Sequence, residues 1–423
     1  MKIAIVSTLP PVNTSLSEYG KFLVEGLHGV NDNLEIDVLA DVPTETLSDV
    51  SEMQLPGLRV MRSWRFNAWN TPFKLALKLM ALRPDMVVFN VQFASFGSQK
   101  VPAMLGLMTP MLLRQLGFKV VTVLHNLPEA MALDEPYFAK NKLDKWLIQA
   151  GGNVATRFLL KSNRLVVTLD KYKRILETKY NARNVEVIGL GSYIAPAASL
   201  HIPETKRFLT FGKFGTYKRL EFLLDAFAEL SQKHEGLELV IGGADHPSTP
   251  GYMDQIQAQY GHLKNVRFIG WIEDEDLPEV IRSAQALLLS YESTAGSSGP
   301  LHLAMSQGKA VVAPDFGDFR LVAEEEGVNL MFYTHRDADA FKARLEDIIT
   351  GAVDLVAVGE QNLKVARAYS SSKTAERYYQ LLQDVRLEGV AIPTVSQTAH
   401  YVSTGTDERK SPTLNSEFLQ TLS

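Results

Sequence analysis

The 423-residue chain has no cysteine. This excludes disulfides, thiolate metal sites and a cysteine nucleophile together, and it fits folding in a reducing, cytoplasmic setting. Histidine, aspartate and glutamate remain as metal ligands. Long apolar runs are lacking too. The longest, Val101 to Leu113, is interrupted by Pro102, Thr109 and Pro110 and falls short of the roughly 20 residues a bilayer span needs. At the start, Ile3 to Thr8 is cut off by Pro10 and Pro11, too early for a signal-peptide apolar region, and reads as a first buried strand. Neither half carries Gly-x-Gly-x-x-Gly after its first strand, which weakens a nicotinamide oxidoreductase reading, and no Walker phosphate loop is present.

The remaining composition, 46% hydrophobic and 22% charged, is that of a globular protein, and the length predicts two or three domains. Charge is unevenly placed. Residues 1–200 hold 22 Lys and Arg against 17 Asp and Glu, whereas the rest hold 21 against 31. Arg59 to Lys119 carries nine cations and only Asp85 in opposition, with Trp64, Phe66, Trp69 and Phe73 among them. Two readings stand for this stretch. It is either ordinary solvated helix faces or a basic surface for peripheral contact with anionic lipid at the inner membrane face. Aromatics among cations would also suit single-stranded nucleic acid, but no nucleic acid partner is expected.

Short β-branched runs recur at Lys2 to Thr8, Leu34 to Ala40, Met86 to Val91, Val120 to His125, Leu165 to Leu169 and Val185 to Ile188. The second half repeats the theme at Arg207 to Phe211, Leu237 to Ile241, Val266 to Ile269, Ala286 to Ser290, Ala310 to Ala313 and Leu330 to Tyr333. Helical patterns separate them. Strands without polar alternation are covered on both faces, so two doubly wound α/β domains with parallel sheets are expected, at 1–195 and 206–370. The turn-rich stretch Tyr193 to Thr205 marks the boundary. Two helical stretches follow, Asp337 to Ile349 and Val358 to Val385, and a final helix within 371–388 is expected to return to the amino-terminal domain. Residues 390–423, rich in Ser, Thr and Pro, read as a disordered tail.

Ligands of open parallel sheets bind beyond the carboxyl ends of the strands. After Arg207 to Phe211 comes Gly212-Lys213-Phe214-Gly215-Thr216-Tyr217-Lys218-Arg219, a turn with three cations suited to an anion. After Ala286 to Ser290 comes a loop with Gly296-Ser297-Ser298-Gly299-Pro300, in which Ser298 or Gly299 is an N-cap and Pro300 starts a helix. Its first-turn N–H groups suit a diphosphate. Two such loops on one sheet point to a nucleoside diphosphate.

The ordered set Phe211-Gly-Lys, Tyr217-Lys218, Gly242-Gly243, Val266-Arg-Phe-Ile-Gly-Trp271 and Ser298-Gly-Pro-Leu-His-Leu-Ala-Met-Ser-Gln-Gly-Lys resembles retaining glycosyltransferases of the GT-B fold, family GT4, over residues 1 to 385. The resemblance implies two Rossmann-like domains facing across a cleft and transfer of a sugar from a nucleotide-diphosphate donor to an acceptor hydroxyl, a glycan or a lipid-linked one. It implies that Lys213 and Lys218 bind and stabilise the leaving diphosphate, with Gly212, Arg219, Ser297, Ser298, Gly299 and Pro300 around it. It further implies that Gly270 and Trp271 meet the base and that His125 reaches the sugar. Because cations and amides do the work of a metal, neither metal nor cofactor is implied. The family's two glutamates fall at Ala295 and Leu303, neither acidic; Glu292 is the replacement expected at the sugar and His302 at the ribose. The amino-terminal loop offers Asn13-Thr14-Ser15 in place of paired glycines. A catalytically inactive nucleotide-sugar-binding subunit is the alternative.

Overall fold

The computed structural model describes residues 1–12, 14–43, 53–127, 129, 142–293 and 298–388, with backbone alone for 142–147. The tail expected to be disordered, 390–423, lies outside the described residues. Among the described residues no helix is long and apolar enough to cross a membrane.

The first half runs β1 (Lys2–Ser7), α1 (Ser15–Val30), β2 (Glu35–Asp41), β3 (Leu58–Trp64), α2 (Thr71–Leu82), β4 (Met86–Val91), α3 (Lys100–Gln115), β5 (Val120–Leu124), α4 (Lys142–Leu159), β6 (Arg164–Val167), α5 (Asp170–Tyr180) and β7 (Val185–Val187). These make a seven-stranded parallel sheet in the order β3-β2-β1-β4-β5-β6-β7. Its central strands are buried throughout, which is why they read as unbroken Val and Ile. The edge strand β3 carries no such signal. It is half-exposed, its Arg59 clamps buried Asp37 with two bonds of 2.6 and 2.9 Å, and its charge hid it within the basic stretch.

The second half runs β8 (Arg207–Phe214), a 3-10 turn (Thr216–Lys218), α6 (Leu220–Lys233), β9 (Glu238–Asp245), α7 (Tyr252–Tyr260), β10 (Val266–Gly270), α8 (Leu277–Arg282), β11 (Ala286–Leu288), α9 (Gly299–Ser306), β12 (Ala310–Pro314), α10 (Gly317–Glu326), β13 (Met331–Tyr333), α11 (Ala338–Ile349), α12 (Leu355–Ala368) and α13 (Ser371–Leu387). Six parallel strands lie in the order β10-β9-β8-β11-β12-β13. In both sheets the order reverses beside the first strand, between β1 and β4 and between β8 and β11. A crevice opens at such a reversal, at the carboxyl ends of the strands.

Two details depart from the sequence reading. The helical stretch 358–385 breaks at Tyr369, where Ser370 pairs with Ser192 in a β-bridge. From there α13 packs on the amino-terminal core: Tyr378, Leu382 and Val385 share a cluster with Ile3, Leu23 and Leu27, and Tyr378 bonds the Tyr19 hydroxyl at 2.9 Å. The other departure is that β8 runs past Phe211 to Phe214, pairing with β9 as far as Asp245, so Lys213 sits on a strand. The extension depends on two glycines with positive φ, Gly212 (124°) and Gly243 (145°). A Cβ on Gly243 would stand 1.9 Å from the Gly212 carbonyl oxygen. Gly243→Ala is therefore expected to lower unfolding stability by roughly 2 kcal/mol or more, read by urea denaturation; a change within about 0.5 kcal/mol would contradict this packing.

Candidate active site

A cavity of about 400 Å³ opens where the carboxyl ends of the two sheets meet. Its carboxy-terminal wall is made by the ends of β8, β9 and β11 and the start of α9; the opposite wall comes from α1, the ends of β4, β5 and β6, and the segment after β7.

The decisive geometry surrounds Gly212. The place a Cβ would take there is 3.0 Å from the Lys218 ammonium and 3.4 Å from Cγ of Pro300, in the first turn of α9. One methyl-sized space thus joins the cation to the helix start. Lys218 is 6% exposed, and its ammonium lies 4.9 Å from the Tyr291 ring centre and 5.2 Å from that of Phe214. No carboxylate among the described residues is within salt-bridge reach of it. Burial lowers its pKa. Lys213 is 7% exposed and is likewise lowered by burial, partly offset by Glu18, whose carboxylate is 2.6 Å away on α1. Lys213 also stands 5.7 Å from the Trp271 ring centre. Ser298 occupies the N-cap of α9 without a side-chain capping bond. Its hydroxyl and that of Tyr291 have only each other, and the buried Thr168 hydroxyl across the cavity has no hydrogen-bond partner among the described residues. Two buried ammonium groups, a helix start and the unpartnered Thr168 hydroxyl make a lining chemically suited to a polar anion.

On the facing wall, α1 is aimed by its own cap. Thr14 accepts from the Ser17 N–H and Ser17 accepts from the Thr14 N–H, both at 3.2 Å. Gly20 lets the helix press onto the end of β1, where a Cβ would meet Ser7 Oγ at 2.3 Å. Arg62 holds the preceding loop by donating to the carbonyls of Leu9, Pro10 and Asp41. His125 ends β5 within a buried chain: Asn90 donates its amide to Ser7 and Leu16, so its carbonyl accepts from His125 Nε2 at 2.6 Å. Burial pushes the imidazole pKa down to about 4, and the ring stays neutral with Nδ1 as an acceptor.

Of the residues singled out in the sequence, Gly212, Lys213, Lys218, Trp271, Ser298, Gly299, Pro300, His125 and Ser15 line the cavity. Thr14 is spent on the cap. Asn13 and Ser297 lie outside the described residues. Four expectations are corrected. Glu292 does not face the cavity, because Arg219 at 3.0 Å and Arg336 hold its carboxylate; partial burial would raise its pKa, and the two guanidinium groups outweigh that and lower it. Arg219 is correspondingly committed to Glu292. His302 turns inward to Glu326 at 3.0 Å and the Ser298 carbonyl at 2.9 Å. Burial would lower its pKa, but that buried carboxylate and the carbonyl raise it. Gly270 is exposed and off the cavity wall, with φ 69°. The sequence reading missed Glu18, Asp274, Tyr193 and Thr168, which all line the cavity. Of these only Glu18 had a signal, its place in the first turn after the amino-terminal loop.

The family model for glycosyl transferases group 1 matches residues 205–351. That segment, fewer than half of the chain's residues, is similar to the family. The chain is 30% identical over 165 residues to phosphatidyl-myo-inositol mannosyltransferase of Mycobacterium tuberculosis, a match spanning 38% of this chain and 40% of that protein's length. Its architecture follows sucrose-phosphate synthase from Thermosynechococcus elongatus, with a TM-score of 0.70 at 17% identity over 91% of this chain and 99% of the other. Anabaena HepE, solved in complex with UDP, superposes with a TM-score of 0.64 at 14% identity over 90% and 99% of the two chains. These superpositions show the GT-B fold, and the cavity lies between its two sheets.

The two buried histidines have opposite pH behaviour. With its pKa lowered to about 4 from 6.5, His125 stabilises the fold fully above about pH 6.5 and loses that contribution as pH falls toward 4. His302, raised, contributes fully below about pH 6.5 and loses its share as pH rises through its folded pKa. Imidazole NMR should show His125 without titration between about pH 5.5 and 8 and His302 titrating above 6.5; a His125 midpoint near 6.5 would contradict its burial.

Proposed function

We propose that this chain is a retaining, metal-independent hexosyltransferase that moves a sugar from a nucleoside diphosphate to the hydroxyl of a lipid-linked acceptor in surface glycan or glycolipid synthesis. The observation that carries this reading is the convergence of Lys218, Lys213 and the start of α9 around Gly212. Negative charge grows on the diphosphate as the sugar–phosphate bond breaks, and cations held in a water-poor wall stabilise it most at that moment. No metal is needed in this scheme, since two ammonium groups and the helix start meet the charge. The Anabaena neighbour's UDP supports the donor class, and the mycobacterial relative's name supports a lipid acceptor.

Glu18 takes part as a competitor. Its carboxylate now neutralises Lys213, and an incoming diphosphate must take that place. His125 and Thr168, on the same wall, are set to bond hydroxyls of the transferred sugar.

A second reading is a binding subunit without turnover. It is favoured by Leu303, an apolar side chain on the cavity wall at a position where the family carries a glutamate; the cavity carboxylates among the described residues are Glu18 and Asp274. Calorimetry with UDP and GDP sugars, beside an assay of nucleoside diphosphate release, separates the two: binding with release supports the enzyme, binding alone the subunit. Lys213→Ala and Lys218→Ala are each expected to lower turnover roughly 10²–10³-fold, and unchanged turnover in the double variant would overturn the assignment. Glu18→Gln is expected to tighten nucleoside diphosphate binding by roughly three- to ten-fold, about 1 kcal/mol for removing a half-exposed competitor; weaker binding would refute the competition.

A further inference from the structure

The basic stretch Arg59 to Lys119 does not act as one surface. Arg59 and Arg62 are committed to Asp37 and to the amino-terminal loop, Trp64 is buried with its indole N–H on the Leu39 carbonyl, β4 is wholly interior, and Lys119 donates to the Arg386 carbonyl. What remains is a compact outer patch formed by the loop 65–70, one side of α2 and the first turn of α3. Trp69 is 66% exposed, Phe73 62%, Leu77 66% and Val101 64%, with Phe66 and Met80 also exposed.

Helix α2 has two apolar sides. Leu75, Ala76 and Leu79 face the core. Phe73, Leu77 and Met80 recur at four- and three-residue steps on another side, which the fold leaves open to water. Lys74 and Lys78 run between the two, and Arg65 and Lys100 flank the patch; none of these four makes a salt bridge among the described residues. The sole acid of the stretch, Asp85, accepts the Lys2 backbone N–H. Six exposed large apolar side chains drawn from neighbouring elements call for a partner. Lysines rimming Trp and Phe, with no carboxylate, complement the anionic headgroups and interfacial depth of a bilayer, whereas protein interfaces are depleted in lysine.

We propose that this patch seats the protein on an anionic lipid bilayer. The docking rests on the lipid-acceptor reading and extends it by naming the surface. The patch is linked to the cavity wall through one segment: Asn67 donates its N–H to Phe96 O at 2.9 Å and accepts from Gln99 N–H at 3.1 Å, which ties the aromatic loop to the stretch leading from the cavity residue Gln92 to α3. Both loops leave the carboxyl edge of the sheet, so a bilayer beneath the patch lies at the acceptor side of the crevice.

The test uses the full chain and vesicles of phosphatidylcholine, with and without phosphatidylglycerol, in co-sedimentation and tryptophan fluorescence. The protein should sediment with the anionic vesicles, less so as salt rises, with a blue shift that Trp69→Phe removes. Trp69→Ser/Phe73→Ser/Leu77→Ser and Lys74→Glu/Lys78→Glu should each weaken binding about ten-fold or more. UDP calorimetry on the same variants should be unchanged, which shows that they fold and keeps the donor reading separate. Wild-type protein left in the supernatant, variants that bind as well as wild type, or a dimer broken by the same substitutions would overturn the proposal.

Discussion

Two ammonium groups in a wall that excludes most water set the terms for the rest of the molecule. Lys218 lies between aromatic faces and Lys213 leans on a carboxylate from the other sheet. Buried cations without full compensation raise the free energy of the empty site, and an anion lowers it. The close backbone approach at Gly212 and Gly243 and the tight seating of α1 by Gly20 set where these charges stand.

The architecture was legible because a parallel sheet buried on both sides must be written in β-branched residues, and twelve of the strands were. The thirteenth, β3, was not, since an edge strand faces water and its arginines looked like surface charge. The break between α12 and α13 was also hidden. Nothing local at Tyr369 stops a helix; the stop comes from pairing with Ser192, distant in sequence.

The candidate site was legible where backbone chemistry dictates residue type. Glycine, the N-cap serine and the following proline mark the turn and the helix start. Side-chain direction was not legible. His302 and Glu292 stand in loops and helices close to the cavity, yet each had a stronger partner available, Glu326 for one and two arginines for the other. Such choices depend on residues from α10 and the segment after β13, which no local pattern brings together.

The chain crosses between its two halves twice, once outward after β7 and once homeward at Ser370, and Ser192 and Ser370 bind the crossings side by side. A doubled strap of this kind fastens the two halves at one place. Because α13 supplies Tyr378 to the first core, the amino-terminal half cannot be cut loose from the chain's last helix with its own interior intact.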